Sequence, residues 1–370
     1  MRSHISSAKK IVIKIGSSSL TGSAGAELDP EAVDRLVDAV AAARARGAEV
    51  TVVSSGAIAA GLAPLGLKIR PQDLATQQAA AAVGQGLLMH RYTESFSRYE
   101  ITASQILLTT QDVIHRSHYQ NAQRTLYRLL ALGVVPIINE NDTVGTQEIR
   151  FGDNDRLAAL VSLLIGADLL VLVSDIDALY DAPPKNPDAK RISSVASVSE
   201  VNESTLGGAG SAGVGSGGMV TKIEAARIST GAGIPMVLTS LDKAESALTG
   251  EDVGTYFEAR PSKTNSRLLW LAHASTPHGR LIVDAGAVKA LVERSVSLLP
   301  AGVTKVEGEF SAGDAVEVAG VDGKVFARGL VAFDSSEIPQ MLGRSTKELA
   351  KELGPEYERE LIHRDDFVIL

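Results

Sequence analysis

Through about residue 250, short apolar runs rich in Val and Ile alternate with longer stretches of helical periodicity. The runs are Ile11–Ile15, Glu49–Ser54, Thr102–Leu108, Val134–Ile138, Leu169–Ser174 and Pro235–Thr239. A strand followed by a helix returns to the sheet parallel to where it started. This alternation therefore predicts an α/β fold with an open, mainly parallel sheet sandwiched by helices. Between the first two runs, Val33, Leu36, Val37 and Val40 share one face of a helix predicted over Asp29–Arg46, with Asp29 as N-cap and Pro30 at the first helical position.

In such sheets, ligands gather beyond the C-terminal ends of the strands, where backbone amides of the following turns point at anions. Four strand ends in succession carry small polar residues: Lys14-Ile15-Gly16-Ser17-Ser18-Ser19, Ser54-Ser55-Gly56-Ala57, Asn139-Glu140-Asn141-Asp142 and Ser174-Asp175. Lys14 lies inside an otherwise apolar strand, where an unpaired charge is costly to bury. Either it is a strand-edge residue whose amine snorkels to water, or it reaches a ligand; the Gly-Ser-Ser-Ser turn behind it favours phosphate.

From Gly207 to Gly218, seven of twelve residues are Gly, and a helical pattern runs on from Met219. A flexible linker and a ligand-approaching loop are both compatible with that density. Lys222 on the first turn of the following helix favours the loop. Two formal G-x-G-x-x-G matches in this tract follow no strand, and no G-K-[ST] follows the glycines, so neither a dinucleotide fingerprint nor a Walker A loop is read. In Gly152-Asp153-Asn154-Asp155 one residue, Asp153 or Asn154, reads as a helix cap; the Asn density also suits recognition of an amino acid's charged groups or orientation of lysines. His115 and His118 have no third metal ligand nearby, and Ser55 has no G-x-S-x-G elbow, so zinc and serine-hydrolase chemistry are not expected.

The chain of 370 residues has no Cys, which removes disulfides, thiolate nucleophiles and Cys-ligated metals. Its net charge of −8 argues against a dominant phosphate-backbone binder. No apolar stretch approaches the ~20 residues of a membrane span, and no signal-peptide core follows the basic N-terminus, so a cytoplasmic enzyme is expected. After Gly279 short strands dominate (RLIVD, TKVEGEF, AVEVAG, KVFARGLVAF), predicting a small β-rich domain. With 11 Lys+Arg against 16 Asp+Glu in 279–370, that region carries −5, which weighs against strong RNA binding there. The expected organisation is residues 1–260, a linker over 261–278, and 279–370.

IVIKIGSSSL, VVSSGAIAAG, AAVGQ, PIINENDTV, FGDNDRLAAL, LVSDIDALY and GSGGMVTKIEAA resemble, in order, the successive motifs of the amino acid kinase family. NEND with GDND, followed by a PUA-like domain, is similar to the branch that phosphorylates the γ-carboxylate of glutamate at the start of proline synthesis. The resemblance implies ATP with Mg²⁺ and a catalytic set of Lys14, Lys222 and Asp155, the lysines on the phosphates and Asp155 orienting them. Ser55, Asp142 and Asn154 would bind L-glutamate; Ser174, Asp175, Ser216, Gly217, Gly218, Met219, Val220, Thr221 and Lys222 would line the nucleotide. Ser174 replaces the family's more usual Thr. No metal ligand is assigned to the protein. The same resemblance implies feedback inhibition by proline, coupling to a γ-glutamyl phosphate reductase and a homo-oligomer, either dimer or tetramer. Other members of the fold act on aspartate, N-acetylglutamate, carbamate or UMP, and from another class the PUA-like region suggests an RNA-binding or RNA-modifying protein.

Overall fold

The structure is a computed structural model that describes residues 2, 4–21, 27–109, 112–113, 116–144, 154–182, 186, 188–198, 201, 218–259, 277–294 and 296–370. The chain divides into two compact units, Met1–Ser262 and Lys263–Leu370.

The larger unit is built on strands β1 (Lys10–Ile15), β2 (Glu49–Ser54), β3 (Ala103–Leu108), β4 (Val135–Glu140), β5 (Leu169–Ser174), β6 (Leu179–Tyr180), β7 (Arg191–Ile192), β8 (Ser194–Val195), β9 (Met236–Ser240) and β10 (Thr255–Phe257). Eight of them form one sheet in the order β3-β4-β2-β1-β5-β9-β10-β8. Every pairing in it is parallel except β9 with β10. All six expected strands are present, Glu49–Ser54 and Leu169–Ser174 with the expected ends and the other four with an end displaced by one or two residues. Pro235 falls just outside β9 because it has no N–H for the ladder, though its carbonyl still accepts from Leu170 N at 3.0 Å.

The helices of this unit are α1 (Ser17–Leu20), α2 (Pro30–Ala45), α3 (Ala57–Leu62), α4 (Leu74–Ser97), α5 (Arg116–Ala131), α6 (Asn154–Ile165), α7 (Met219–Gly231) and α8 (Ala244–Thr249). Helix α2 starts as its sequence predicts: Asp29 accepts from Glu31 N at 3.0 Å and Pro30 opens the first turn. Val33, Leu36, Val37 and Val40 are fully buried in a core shared with Ile11, Ile13 and Ile15 of β1 and with α4 and α8. Each such side chain contributes roughly 1.5–3 kcal/mol of burial. Strand side chains alternate between faces, so Lys14, out of phase with these isoleucines, points to the opposite face. It meets α6 there.

Two glycines bring α3 against α4. A Cβ on Gly61 would lie 1.9 Å from Ala80 O, and one on Gly84 would lie 1.8 Å from Ala57 O. Backbone therefore touches backbone, and Gly56, at φ +105°, turns the chain from β2 into α3 in a conformation other residues rarely adopt. The motifs SSGAIAAG and AAVGQ thus interlock physically.

The smaller unit holds a five-stranded sheet, β12-β11-β13-β14-β15, from β11 (Gly279–Val283), β12 (Val303–Gly308), β13 (Ala315–Gly320), β14 (Val325–Leu330) and β15 (Phe367–Ile369). Helices α9 (Ala285–Arg294) and α10 (Thr346–Leu353) accompany it, the latter started by a Ser345–Glu348 capping box. Leu281, Val316, Val318, Ile338, Met341, Leu349 and Ile362 form its core. The four expected strands are present; β15 and both helices were not anticipated. Among the described residues, no helix is long and apolar enough to cross a membrane.

Candidate active site

The four strands with polar ends, β4, β2, β1 and β5, are consecutive in the sheet. Residues far apart in the chain therefore share one rim. Lys14 stands opposite Val53 of β2 and Leu172 of β5, in the middle of the sheet, and is 4% exposed. The strand-edge reading fails for that reason: a central strand offers no water for the amine to snorkel to.

The amine of Lys14 is paired instead with Asp155 Oδ1. Asp155, second residue of α6 and fully buried, uses its other oxygen for Lys222, whose Nζ donates at 3.1 Å. Lys222 is the fourth residue of α7 and also 4% exposed. Thr221 Oγ lies 3.2 Å from the same Asp155 oxygen and 2.8 Å from Gly218 O. One carboxylate thus holds two ammonium groups away from solvent, leaving a surplus of one positive charge in the trio. Buried charges are costly without a partner, and a lone carboxylate does not neutralise both amines.

Beside this trio runs a chain of amides. Asn139 Oδ1 accepts from Glu140 N at 2.8 Å and from Asn154 Nδ2 at 2.9 Å, while Asn139 Nδ2 donates to Gln85 Oε1 at 2.9 Å. Asn154 Nδ2 also reaches Ser55 Oγ at 2.8 Å and Ser54 O at 3.2 Å. Ser54 Oγ is within 2.9 Å of the Tyr92 hydroxyl, whose pKa burial pushes well above the ordinary phenol value, against a smaller opposing effect of that hydrogen bond. Asn154 is the first residue of α6 with its side chain turned to the ends of β2 and β4, so it does not cap the helix as one reading held; Asp153 lies outside the described residues.

Asp142 sits half-buried in the turn after β4. Ser174 ends β5 and donates to Asp175 Oδ1 at 2.9 Å, while Asp175 itself is exposed. Further along, Asp177 accepts from Lys243 Nζ at 2.7 Å and from the Tyr180 hydroxyl at 3.0 Å. Partial burial pushes the Asp177 carboxyl up, but hydrogen bonds from Lys243 and Tyr180 outweigh it and hold the pKa below the ordinary carboxylate value. Gly218, Met219, Val220 and Thr221 form the start of α7, with Val220 exposed. Ser216, Gly217 and the glycine tract before them lie outside the described residues, as does His115; His118 is exposed and pairs with Asp112. The sequence assigns no role to Gln85 or Tyr92 and places Ser54 and Asn139 at polar strand ends without giving either a specific one. The available signal for Gln85 was a long polar side chain in an Ala-rich helix.

A parallel sheet whose central strand end carries a buried Lys–Asp–Lys trio, followed by a small β-rich unit, is the design of a two-part phosphotransferase. The Amino acid kinase family model matches residues 9–240 and the PUA domain model residues 279–353. The chain is similar to a glutamate 5-kinase of Streptomyces avermitilis at 60% identity over 370 residues, covering 100% of this chain and 98% of the relative. It is also similar to glutamate 5-kinases of Salinispora arenicola, at 57% identity with full coverage of both chains, and of Thermobifida fusca, at 56% with 100% and 95% covered. Among solved structures, carbamate kinase from Giardia lamblia bound to AMP-PNP shares the fold, with TM-score 0.51 and 18% identity over 69% of this chain and 100% of that one. The chain belongs to the amino acid kinase family and, within it, to the glutamate 5-kinases that carry a C-terminal PUA domain.

Proposed function

We propose that this protein transfers the terminal phosphoryl group of ATP to the γ-carboxylate of L-glutamate, giving γ-glutamyl phosphate and ADP, the first step of proline synthesis. The observation that carries the reading is the pair of buried ammonium groups, Lys14 and Lys222, held by the single carboxylate of Asp155 at the strand-end rim. A glutamate side chain ionises near pH ~4.3, so at neutral pH it is already a nucleophile and needs no general base. The chemistry asks for two repelling anions to be held in line and for positive charge on the transferring phosphoryl oxygens. Lys14 and Lys222 supply that charge from two directions, and Asp155 fixes both amines without cancelling them.

Ser55, Asp142 and Asn154 hold the glutamate. Asn154 Oδ1 is buried without a hydrogen-bond partner among the described residues, which leaves it as an acceptor for a ligand donor. Ser174, Asp175 and the segment from Ser216 to Lys222 receive the nucleotide, and Mg²⁺ arriving on the nucleotide phosphates adds charge neutralisation there. The kinase domain spans 1–260 and the PUA domain 279–370, joined by 261–278. Family resemblance supports three further readings: feedback inhibition by proline overlapping the glutamate pocket, a homo-oligomeric cytoplasmic enzyme, and a reductase that consumes the labile acyl phosphate. Trapping the product with hydroxylamine tests the central assignment. Glutamate with ATP should yield a hydroxamate and aspartate should not; hydroxamate from aspartate alone, or from neither, overturns it.

A further inference from the structure

We infer that Gln85 is a positioning residue for the amino-acid substrate, acting through Asn139 on Asn154; this rests on the assignment of Asn154 to the glutamate pocket. Backbone groups that cannot reverse their hydrogen-bonding role identify the oxygen and nitrogen ends of Asn139 and Asn154. Glu140 N only donates, so the end of Asn139 beside it is the oxygen. Ser54 O only accepts, so the end of Asn154 beside it is the NH₂ group, which Asn139 Oδ1 also receives. With these two ends fixed, Asn139 presents its NH₂ to α4 and Asn154 turns its oxygen away from Ser54 and Ser55.

Gln85 closes the chain. Its Oε1 takes the Asn139 NH₂, while its own Nε2 is buried with no partner among the described residues. An unsatisfied buried donor is destabilising, and a Met or Leu would fill the space without one. What Gln85 provides and they lack is the acceptor for Asn139. Without that acceptor the Asn139 side chain has a buried donor to satisfy and a reason to rotate, which releases Asn154 from its orientation. Gly84 places Gln85 at this spot, because contact of α4 with Ala57 O and Gly61 N admits no side chain at residue 84.

Steady-state kinetics of the full chain test this with Gln85→Met, Gln85→Glu, Asn154→Ala and the Gln85→Met/Asn154→Ala double variant. Gln85→Met should raise the glutamate KM about tenfold, the scale of one lost hydrogen bond, with kcat and the ATP KM within about twofold of wild type. Gln85→Glu keeps an oxygen facing Asn139 and should recover most of the rise. In the Asn154→Ala background, Gln85→Met should add nothing, since both act through one group. Should Gln85→Met not accumulate as folded protein, Gln85→Leu replaces it with the same expectations. A folded Met or Leu variant with the wild-type glutamate KM overturns the inference, as do multiplicative effects in the double variant. A Glu variant that recovers none of the rise also overturns it, because an acceptor facing Asn139 would then not be what Gln85 supplies. Failure of Asn154→Ala to raise the glutamate KM overturns the pocket assignment instead.

Discussion

Replacing Asp155 with Asn is the perturbation that best separates a phosphate clamp from a structural ion cluster. Asn keeps the shape and one acceptor but removes the charge facing two buried amines. Breaking a buried pair by removing one partner costs about 3–5 kcal/mol, because an uncompensated charge is left behind. At about 2–4 °C per kcal/mol for a domain of this size, the melting temperature should fall by roughly 6–20 °C. Turnover should drop at least ~100-fold, as the lysines lose their fixed positions. Nucleotide binding should move the other way. In the wild type, Asp155 competes with phosphate oxygens for the same two ammonium groups; in Asp155→Asn that competition is gone. If affinity for ADP or a non-hydrolysable ATP analogue tightens about tenfold, saturating ligand stabilises the variant by about 1.4 kcal/mol more than the wild type. Thermal-shift titration would show this as an additional rise of roughly 3–6 °C. A variant destabilised as expected but gaining no more from nucleotide than wild type would refute the placing of Lys14 and Lys222 on the phosphates.

Other substitutions read the remaining parts. Lys14→Ala and Lys222→Ala should each lower kcat at least ~100-fold in the hydroxamate assay, and near-normal turnover in either removes that lysine from the phosphoryl site. Gly84→Ala places a Cβ 1.8 Å from Ala57 O, so its cost should reach the upper end of roughly 1–3 kcal/mol and lower the melting temperature by about 6 °C or more. A change under 2 °C would mean that α3 and α4 separate freely. Asp177 has a depressed pKa in the folded protein, so its stabilisation is present above the unfolded carboxylate value near ~3.9 and is lost as pH falls through the lower folded value. The stability gap between wild type and Asp177→Asn should therefore shrink below pH ~4, and a gap constant from pH 7 to 3 contradicts the Lys243–Tyr180 cause.

The parallel sheet and Lys14 were legible because each has a local signature; Asp155 as the shared partner of Lys14 and Lys222 was implied only by the family resemblance. A Val- and Ile-rich run is a buried strand whatever surrounds it, and a lysine inside one demands a partner. The contacts among Gln85, Asn139 and Asn154 have no such signature: they form only because α4, β4 and α6 converge, at sequence separations of 54 and 15 between successive partners. The same holds for Gly61 and Gly84, each unremarkable in an Ala-rich stretch until the two backbones touch. β10 and β15 were missed for a different reason. At three residues each they are too short to show alternation, and pairing with β9 and β14 is what makes them strands.

The coupling of the two halves of the site rests on one peptide unit at the start of α6. Successive helical residues point about 100° apart. Asn154 accordingly faces Ser55 and Asn139, the proposed amino-acid side, and Asp155 faces Lys14 and Lys222, the proposed phosphate side. Both are anchored twice or more, and Leu157, Ala158 and Leu160 just after them are buried. On the proposed roles, the separation between Asn154, which orients the acceptor, and Asp155, which orients the phosphoryl clamp, is therefore set by covalent geometry, with no hinge between them. In-line transfer between two anions depends on that separation, which accounts for adjacent Asn and Asp at a helix start where either alone would serve binding.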